Sequence, residues 1–553
     1  MTAGSAPLSA PWPAELPLIP RPLALAVHGG TLTLTSLREV SVSHGSVLPV
    51  AERFLGDLRR WTGLELDGPR ISGTRGRVGV RIELSGPAPW AELSPESAAA
   101  TGAHTLTIDS DGFLVKSESL EGLYRGLTSV VQAIGTGAET VPKLQIIDRA
   151  RYGWRGLSLD TARSFVPVEE VRRIIDLLAL YKFDVLHLHL TDNEGWRLQV
   201  PGWPELTPEP GDGPVRFYTL DDLAELNRYS ADRFITVVPE IDLPGHAGAA
   251  LRAYPGLNPG AVDELDRPFP RANLDPGSEE AWRFLDDVVS ALAAAAAGPY
   301  VHIGGDEAFG MDDAAHAAFV DRAVARAGEL GKTVIGWQET SRADVGAEQI
   351  VQHWIDFSGA EAGDDDAARD AADAPGPIPP AIQQELTANF RKAAGDGRRI
   401  ADKGVRVIMS PTGHAYLDRP HQDVSLDDEQ NAKKSGLGLA YYPPTPLAAY
   451  LEWDPATVTP AIPARSIVGV EAALWTETAD SADDRGALLL PRLPAIAEAA
   501  WSEGTSHWSE YRERLGPQSR LWERAGVPWY RASSVPWGLP GTVPSETKRR
   551  GSA

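Results

Sequence analysis

From Tyr152 onward the chain repeats one rhythm, and this repetition limits its fold more than any other feature. A short apolar run is followed by a polar loop and, in most cases, by a helical stretch. The runs are WRGLSLD, VLHLHLTD, ITVVPEID, YVHIGGDE, TVIGWQE, QIVQHW, VRVIMSP and IVGVEAALW. Strands apolar on both faces suit a parallel sheet covered by crossover helices rather than a half-solvated antiparallel one. Helical spacing is plainest over Val168 to Lys182, where Val171, Ile174, Ile175, Leu178 and Tyr181 make one stripe. A second helix is expected over SEEAWRFLDDVVSALAAAAA, with Ser278 as its cap. Eight such units predict an α/β fold, a closed (β/α)8 TIM barrel. An open doubly wound sheet is the alternative.

At 553 residues the chain exceeds one ordinary core. A small α+β domain is expected over residues 15–148 and the barrel over 150–535, between polar tails. In the first domain GGTLTLTS and RVGVRIELS read as strands, and HTLTIDSDGFLVKS as a hairpin about an Asp-Gly turn. One helix places Phe54, Leu58 and Trp61 together. Another, capped by Ser119, aligns Leu120, Leu123, Leu127, Val131 and Ile134. The expected arrangement is antiparallel strands with helices on one side. Two stretches interrupt the barrel rhythm as insertions, near 358–400 and 421–436.

The 52 basic and 76 acidic residues give a net charge of −24, which argues against nucleic acid or an anionic membrane as partner. With no cysteine there are no disulfides, thiolate metal sites or cysteine nucleophiles. The N-terminal stretch has no basic start and no unbroken apolar core, so it does not read as a signal peptide, and a cytoplasmic location is the expectation, with secretion the alternative. Sixteen tryptophans against 12 phenylalanines leave room for sugar-stacking surfaces.

Barrel chemistry gathers at the carboxyl ends of the strands. Here those ends carry Asp160 and Arg163; Asp192; Glu240, Asp242 and His246; Asp306 and Glu307; Trp337 and Glu339; Trp354; Tyr416 and Asp418; Trp475 and Glu477. Acids among aromatics are what glycosidic cleavage needs: a carboxylic acid for the leaving oxygen, an anion for the oxocarbenium-like centre, and flat faces for pyranose rings. Ordinary glycosidases set two carboxyls about 5 to 9.5 Å apart across the bond. Neighbours leaving a strand point apart, so Asp306 and Glu307 do not suit that layout. They suit Glu307 as the acid, with Asp306 supporting a nucleophile carried by the substrate. The bland alternative is an acidic pair at a helix N-terminus. His187 and His189 leave open a metal-dependent amidohydrolase, and a non-catalytic carbohydrate-binding protein on the same scaffold is a third reading.

HIGGDE, with LDTARSF, LHLHLTDNEGWR, EIDLPGH and GVEAALWTET, resembles the family-20 glycoside hydrolases, the exo-β-N-acetylhexosaminidases. These motifs run from about Trp154 to Trp501, and the N-terminal module resembles the family's small preceding domain. The resemblance implies hydrolysis of terminal β-linked N-acetylglucosamine or N-acetylgalactosamine from an oligosaccharide or glycoconjugate. It implies retention through an oxazolinium ion, with no cofactor and no metal. By the same resemblance Glu307 is the acid and base, and Asp306 orients the 2-acetamido group. Tyr416 bonds its oxygen, and Trp337, Trp354 and Trp475 wall its methyl. Arg163 and Glu477 hold hydroxyls, Asp418 reaches the 6-hydroxyl, and Asp192 with His246 supports Glu307. One departure is LGLAY, which puts Tyr441 where the family usually has tryptophan.

Overall fold

The computed structural model describes residues 13, 16–71, 77–85, 102–208, 213–266, 270–355 and 380–538. Most of both expected tails, and the first part of the insertion near 358–400, lie outside the described residues. Two compact units emerge: Met1–Arg151 with Asp423–Asn431 and Trp501–Ala553, and Tyr152–Gln422 with Ala432–Ala500.

The first unit is built on a seven-stranded sheet of β1 (Ala24–Thr33), β2 (Glu39–Val42), β3 (Asp67–Ile71), β4 (Gly79–Leu84), β5 (His104–Asp109), β6 (Gly112–Ser117) and β7 (Thr140–Asp148). Its order is β1-β7-β5-β6-β4-β2-β3. The expected hairpin is β5–β6, turning at Asp109↔Gly112. The sheet corrects one expectation. It is mixed, because β4 runs parallel to both β6 and β2, and β2 parallel to β3. Helix α1 (Leu48–Thr62) lies between β2 and β3, and a helical crossover returns the chain to the same end of the sheet, which makes their pairing parallel. Helix α2 (Leu120–Gly135) begins where Ser119 accepts a hydrogen bond from the Gly122 N–H, as its sequence predicts.

In the second unit, eight parallel strands close a barrel: β8 (Trp154–Asp160), β9 (Val185–His189), β10 (Thr236–Glu240), β11 (Tyr300–His302), β12 (Thr333–Trp337), β13 (Ile350–His353), β14 (Arg406–Met409) and β15 (Ile467–Leu474). The seam is β15 on β8, in register from Gly469↔Trp154 to Leu474↔Leu159. All eight lie on the eight apolar runs, and the helix expected from Val168 spans Val168–Leu180.

Side chains of a strand alternate in direction, so inward residues stack in layers. The lower layer is apolar: Trp154, Val185, Val238, Ile335, Ile350 and Ile408. Two residues further along the strands the interior turns polar, with His187, Glu240, His302, Gln352 and Glu471 buried together. Glu471 accepts hydrogen bonds from Trp154 Nε1 at 2.7 Å, and from Gln352 Nε2 at 3.0 Å. Its room comes from Gly156, where an added Cβ would lie 2.1 Å from the Glu471 carboxylate. Gly156→Ala is therefore expected to destabilise the barrel by about 1–3 kcal/mol, the usual cost of overpacking a core, measured by denaturant unfolding against wild type.

Candidate active site

The loops after the barrel strands bring the sequence-selected residues onto one mouth. Asp160, ending β8, accepts from the N–H groups of Ala162 (2.8 Å), Arg163 (3.1 Å) and Thr476 (3.0 Å). It ties the first loop to the last and so aims Arg163. The Arg163 guanidinium lies 2.7 Å from Asp192, 3.3 Å from Glu194 and 4.0 Å from Glu477, and 5.1 Å over the Trp475 ring. Asp192 also accepts from His246 Nδ1 at 3.1 Å, joining the expected supporting pair. On its far side, His246 Nε2 stands 3.7 Å from Glu307 and 3.9 Å from Asp306.

The short strand β11 opens into Gly304-Gly305-Asp306-Glu307. Gly304 has φ +69°, and a Cβ there would sit 1.8 Å from Asp242 Oδ1. Only glycine fits. Glu307 and His246 themselves occupy the left-handed region, at φ +44° and +47°. Non-glycine residues hold such angles when their surroundings over-determine them, and these two face each other across the site.

Burial sets the proton affinities. It raises Asp306 well above the ordinary carboxylate range, with Asp242 adding to the rise and His246 opposing it. Burial likewise raises Glu307, and His246 and Arg163 offset only part. Burial opposes the charge on His246, yet Asp192, Asp242 and Asp306 outweigh it and raise this imidazole well above its usual value. Asp192 is the converse: despite burial, Arg163 and His246 hold it well below the carboxylate range.

Near the acids stands a cluster of aromatic rings, of which Tyr416 feels both Asp306 and Glu307. Trp354 and Tyr416 are nearly parallel at 6.4 Å, Trp475 lies 6.0 Å from Tyr416, and Trp337 lies 5.9 Å from Trp475. Two indoles are anchored from behind, Trp337 donating to Glu240 at 2.8 Å and Trp354 to Glu339 at 3.1 Å. Asp418 is fully buried, and neither of its carboxylate oxygens has a hydrogen-bond partner among the described residues. Tyr441 is different in kind: it is 41% exposed at the rim, its ring 4.6 Å from Tyr442. A cavity of about 140 Å³ opens beside Glu307, lined among others by Phe309, Met311, Glu339, Arg342 and Asn389. Asn389 belongs to the helix Pro380–Ala393, which ends the first insertion.

His187 and His189 sit inside the barrel, as their position in the second strand implies. Both nitrogens of each ring face carboxylate oxygens: His187 those of Glu471 (2.8 Å) and Glu240 (2.9 Å), His189 those of Glu240 (2.6 Å) and Asp192 (3.0 Å). Both His189 nitrogens and His187 Nδ1 are hydrogen-bonded there, whereas His187 Nε2 makes no hydrogen bond among the described residues.

Three residues without an assigned role in the sequence reading join the site. Asp242 accepts the Gly305 N–H at 2.9 Å and hydrogen-bonds Asp306. Glu339, which also accepts from Asn389, is pushed by burial up to about 7. Tyr442 packs edge-on to Tyr416. Strand parity is the signal for the acids, since Asp242 follows Glu240, and Glu339 follows Trp337, by two residues.

Comparison with known proteins decides the family. The model of the glycosyl hydrolase family 20 catalytic domain matches residues 152–372 and 382–504, and that of the family's domain 2 matches 15–149. The chain belongs to glycosyl hydrolase family 20. Relatives include a beta-N-acetylhexosaminidase of Cellulomonas fimi, 34% identical over 96% of this chain and 99% of the relative. A family 20 beta-N-acetylhexosaminidase structure from Streptomyces coelicolor A3(2) is 31% identical with a TM-score of 0.76, over 96% of this chain and all of the other. A mutant Streptomyces plicatus beta-hexosaminidase in complex with the product GlcNAc is 31% identical with a TM-score of 0.77, over 96% and 99%. As a family 20 member the chain is a glycoside hydrolase, and neither the amidohydrolase nor the binding-protein reading is supported.

The Asp242–Asp306 contact has a measurable consequence for this family 20 site. Asp242→Asn removes the neighbouring negative charge, so Asp306 ionises at lower pH than in the wild type. A carboxyl-carbon NMR titration of Asp306 is expected to move acidward in the variant, and an unmoved titration counts against the coupling.

Proposed function

We propose that this enzyme removes terminal, non-reducing β-linked N-acetylglucosamine or N-acetylgalactosamine by a substrate-assisted retaining mechanism. One observation carries the reading: two adjacent acids, Asp306 and Glu307, share His246, and both act electrostatically on Tyr416, a member of a cluster of aromatic rings.

Glu307 acts as general acid. Its raised proton affinity keeps it protonated above the usual carboxylate range, as donation to a glycosidic oxygen requires. Asp306 accepts the N–H of the substrate's acetamido group and faces the positive charge that grows on it. The acetamido oxygen attacks C1, the glycosidic bond breaks, and the leaving oxygen takes the Glu307 proton. Tyr416 donates its O–H to the acetamido oxygen, and Trp337, Trp354 and Trp475 exclude water from around the methyl. Glu307, now ionised, takes a proton from the water that opens the oxazolinium ion at C1. Configuration is thus retained with no covalent bond to the enzyme, and the step needs no second carboxylate across the bond. Arg163, Glu477 and the unpartnered Asp418 carboxylate meet sugar hydroxyls at the closed end. Tyr441 lends a ring with a polar tip to the rim.

Glu307→Gln is expected to lower turnover of a chromogenic β-N-acetylglucosaminide by roughly 10²–10⁴-fold, the usual worth of a general acid. Wild-type turnover is expected to persist with chelator present. No wild-type turnover would sink the assignment, and loss on chelation would revive a metal. A thiazoline analogue, which mimics the cyclised intermediate, is expected to inhibit strongly. Indifference to it would rule out the acetamido group as nucleophile.

A further inference from the structure

The polar layer of the barrel forms a continuous row of alternating acids and imidazoles that ends at the catalytic acid. Glu471 meets His187 at 2.8 Å, His187 meets Glu240 at 2.9 Å, and Glu240 meets His189 at 2.6 Å. His189 then meets Asp192 at 3.0 Å, Asp192 meets His246 at 3.1 Å, and His246 reaches Glu307 at 3.7 Å. Resting on the assignment of Glu307 as the acid, we propose that His189 and Glu240 are positioning residues that set the charge state of Glu307 through Asp192 and His246.

The geometry fixes the charges along the row. A neutral imidazole has one N–H and one lone pair, so between two carboxylates it would aim a lone pair at an anion. His189, hydrogen-bonded at 2.6 and 3.0 Å by Glu240 and Asp192, is therefore an imidazolium, and His187 hydrogen-bonds Glu471 through Nδ1 with Nε2 2.9 Å from Glu240. Their proton affinities agree with this: burial opposes the charge, but the flanking carboxylates outweigh it and raise His187 to about 9 and His189 to about 10. Packing alone does not account for such a row. The layer beneath it fills the same barrel with apolar side chains, and well-packed hydrophobic residues often do as well as buried ion pairs or better. Neither His189 nor Glu240 is exposed, so both act through other residues. The row also steadies the aromatic wall, since Glu240 accepts from Trp337 and the Trp475 ring stands edge-on to His189 at 5.0 Å.

The surrounding charges are few and specific. His189 faces Glu240 and Asp242 from the β10 side and Asp192 from its own loop. Glu240 faces His187, His189 and His302. Glu307 faces His246 and Asp242 after β10, Arg163 after β8, Asp192 after β9, Asp306 beside it, and Tyr416 and Tyr441 from the loops after β14. Glu240→Gln keeps a carbonyl to accept from His189 but deletes a negative charge, so Glu307 loses its proton more readily. His189→Gln deletes a positive charge, so Glu307 holds its proton more tightly.

The test is the pH dependence of kcat for the full chain on a chromogenic β-N-acetylglucosaminide. The basic limb is expected to move acidward in Glu240→Gln and alkaline in His189→Gln, each by about half a pH unit or more for a unit charge acting through the protein. A merely structural role would lower activity in both variants without displacing the limbs in opposite directions, and unmoved or same-direction limbs would overturn the proposal. Should a variant not fold, nitrogen-15 NMR of histidine-labelled wild type decides it. Both His189 nitrogens are expected to carry protons at pH 8, and a neutral tautomer there overturns the proposal. Full turnover by Glu307→Gln would instead overturn the assignment of the acid, whereas an inert Glu307→Gln with unmoved limbs removes only the role of the row.

Discussion

Asp192 is the contact on which the mouth of this barrel depends. One buried carboxylate takes Arg163, His189 and His246 at once, at 2.7, 3.0 and 3.1 Å. Those partners come from the loop after β8, from β9 and from the loop after β10, so a single anion joins three consecutive βα units. Removing a charge of this kind leaves its cations buried and uncompensated, which costs far more than a surface pair. The same contact reaches the chemistry, because the ring that binds Asp192 through Nδ1 presents Nε2 to both Asp306 and Glu307.

Around this anion the backbone is bent into conformations that only a completed fold sustains. Gly304 gives way to the Asp242 carboxylate, whose oxygen then accepts the Gly305 N–H, so the turn that carries the acidic pair is tied to the neighbouring strand end. Glu307 and His246 both sit at positive φ. Strain of this sort, on the order of 1–3 kcal/mol per residue, persists where the neighbours leave no alternative, and here it aims the acid and its imidazole at one another.

Much of this was legible along the chain. Eight apolar runs, most of them separated by helical stretches, led to a barrel; WRGLSLD is β8 residue for residue, whereas YVHIGGDE runs past the end of β11 at His302 into the loop that carries the acids. The N-terminal sheet was less legible. Its strand β2 is only four residues long and β3 carries little apolar alternation, and whether a strand pairs parallel or antiparallel depends on a crossover that local sequence does not announce. In the site, the acids at strand ends stood out one by one. That Asp242 touches Asp306, and that Glu240 serves His187, His189 and Trp337 together, did not.

The sequence by itself determined the number of barrel strands, the residues that end them, and the family, through motifs that hold the right chemical groups in the right order. Only the tertiary structure decided which groups share a proton and which share a charge. Ionisation inside a protein depends on burial and on neighbours within a few ångströms, and barrel closure brings together residues as remote in sequence as His187 and Glu471.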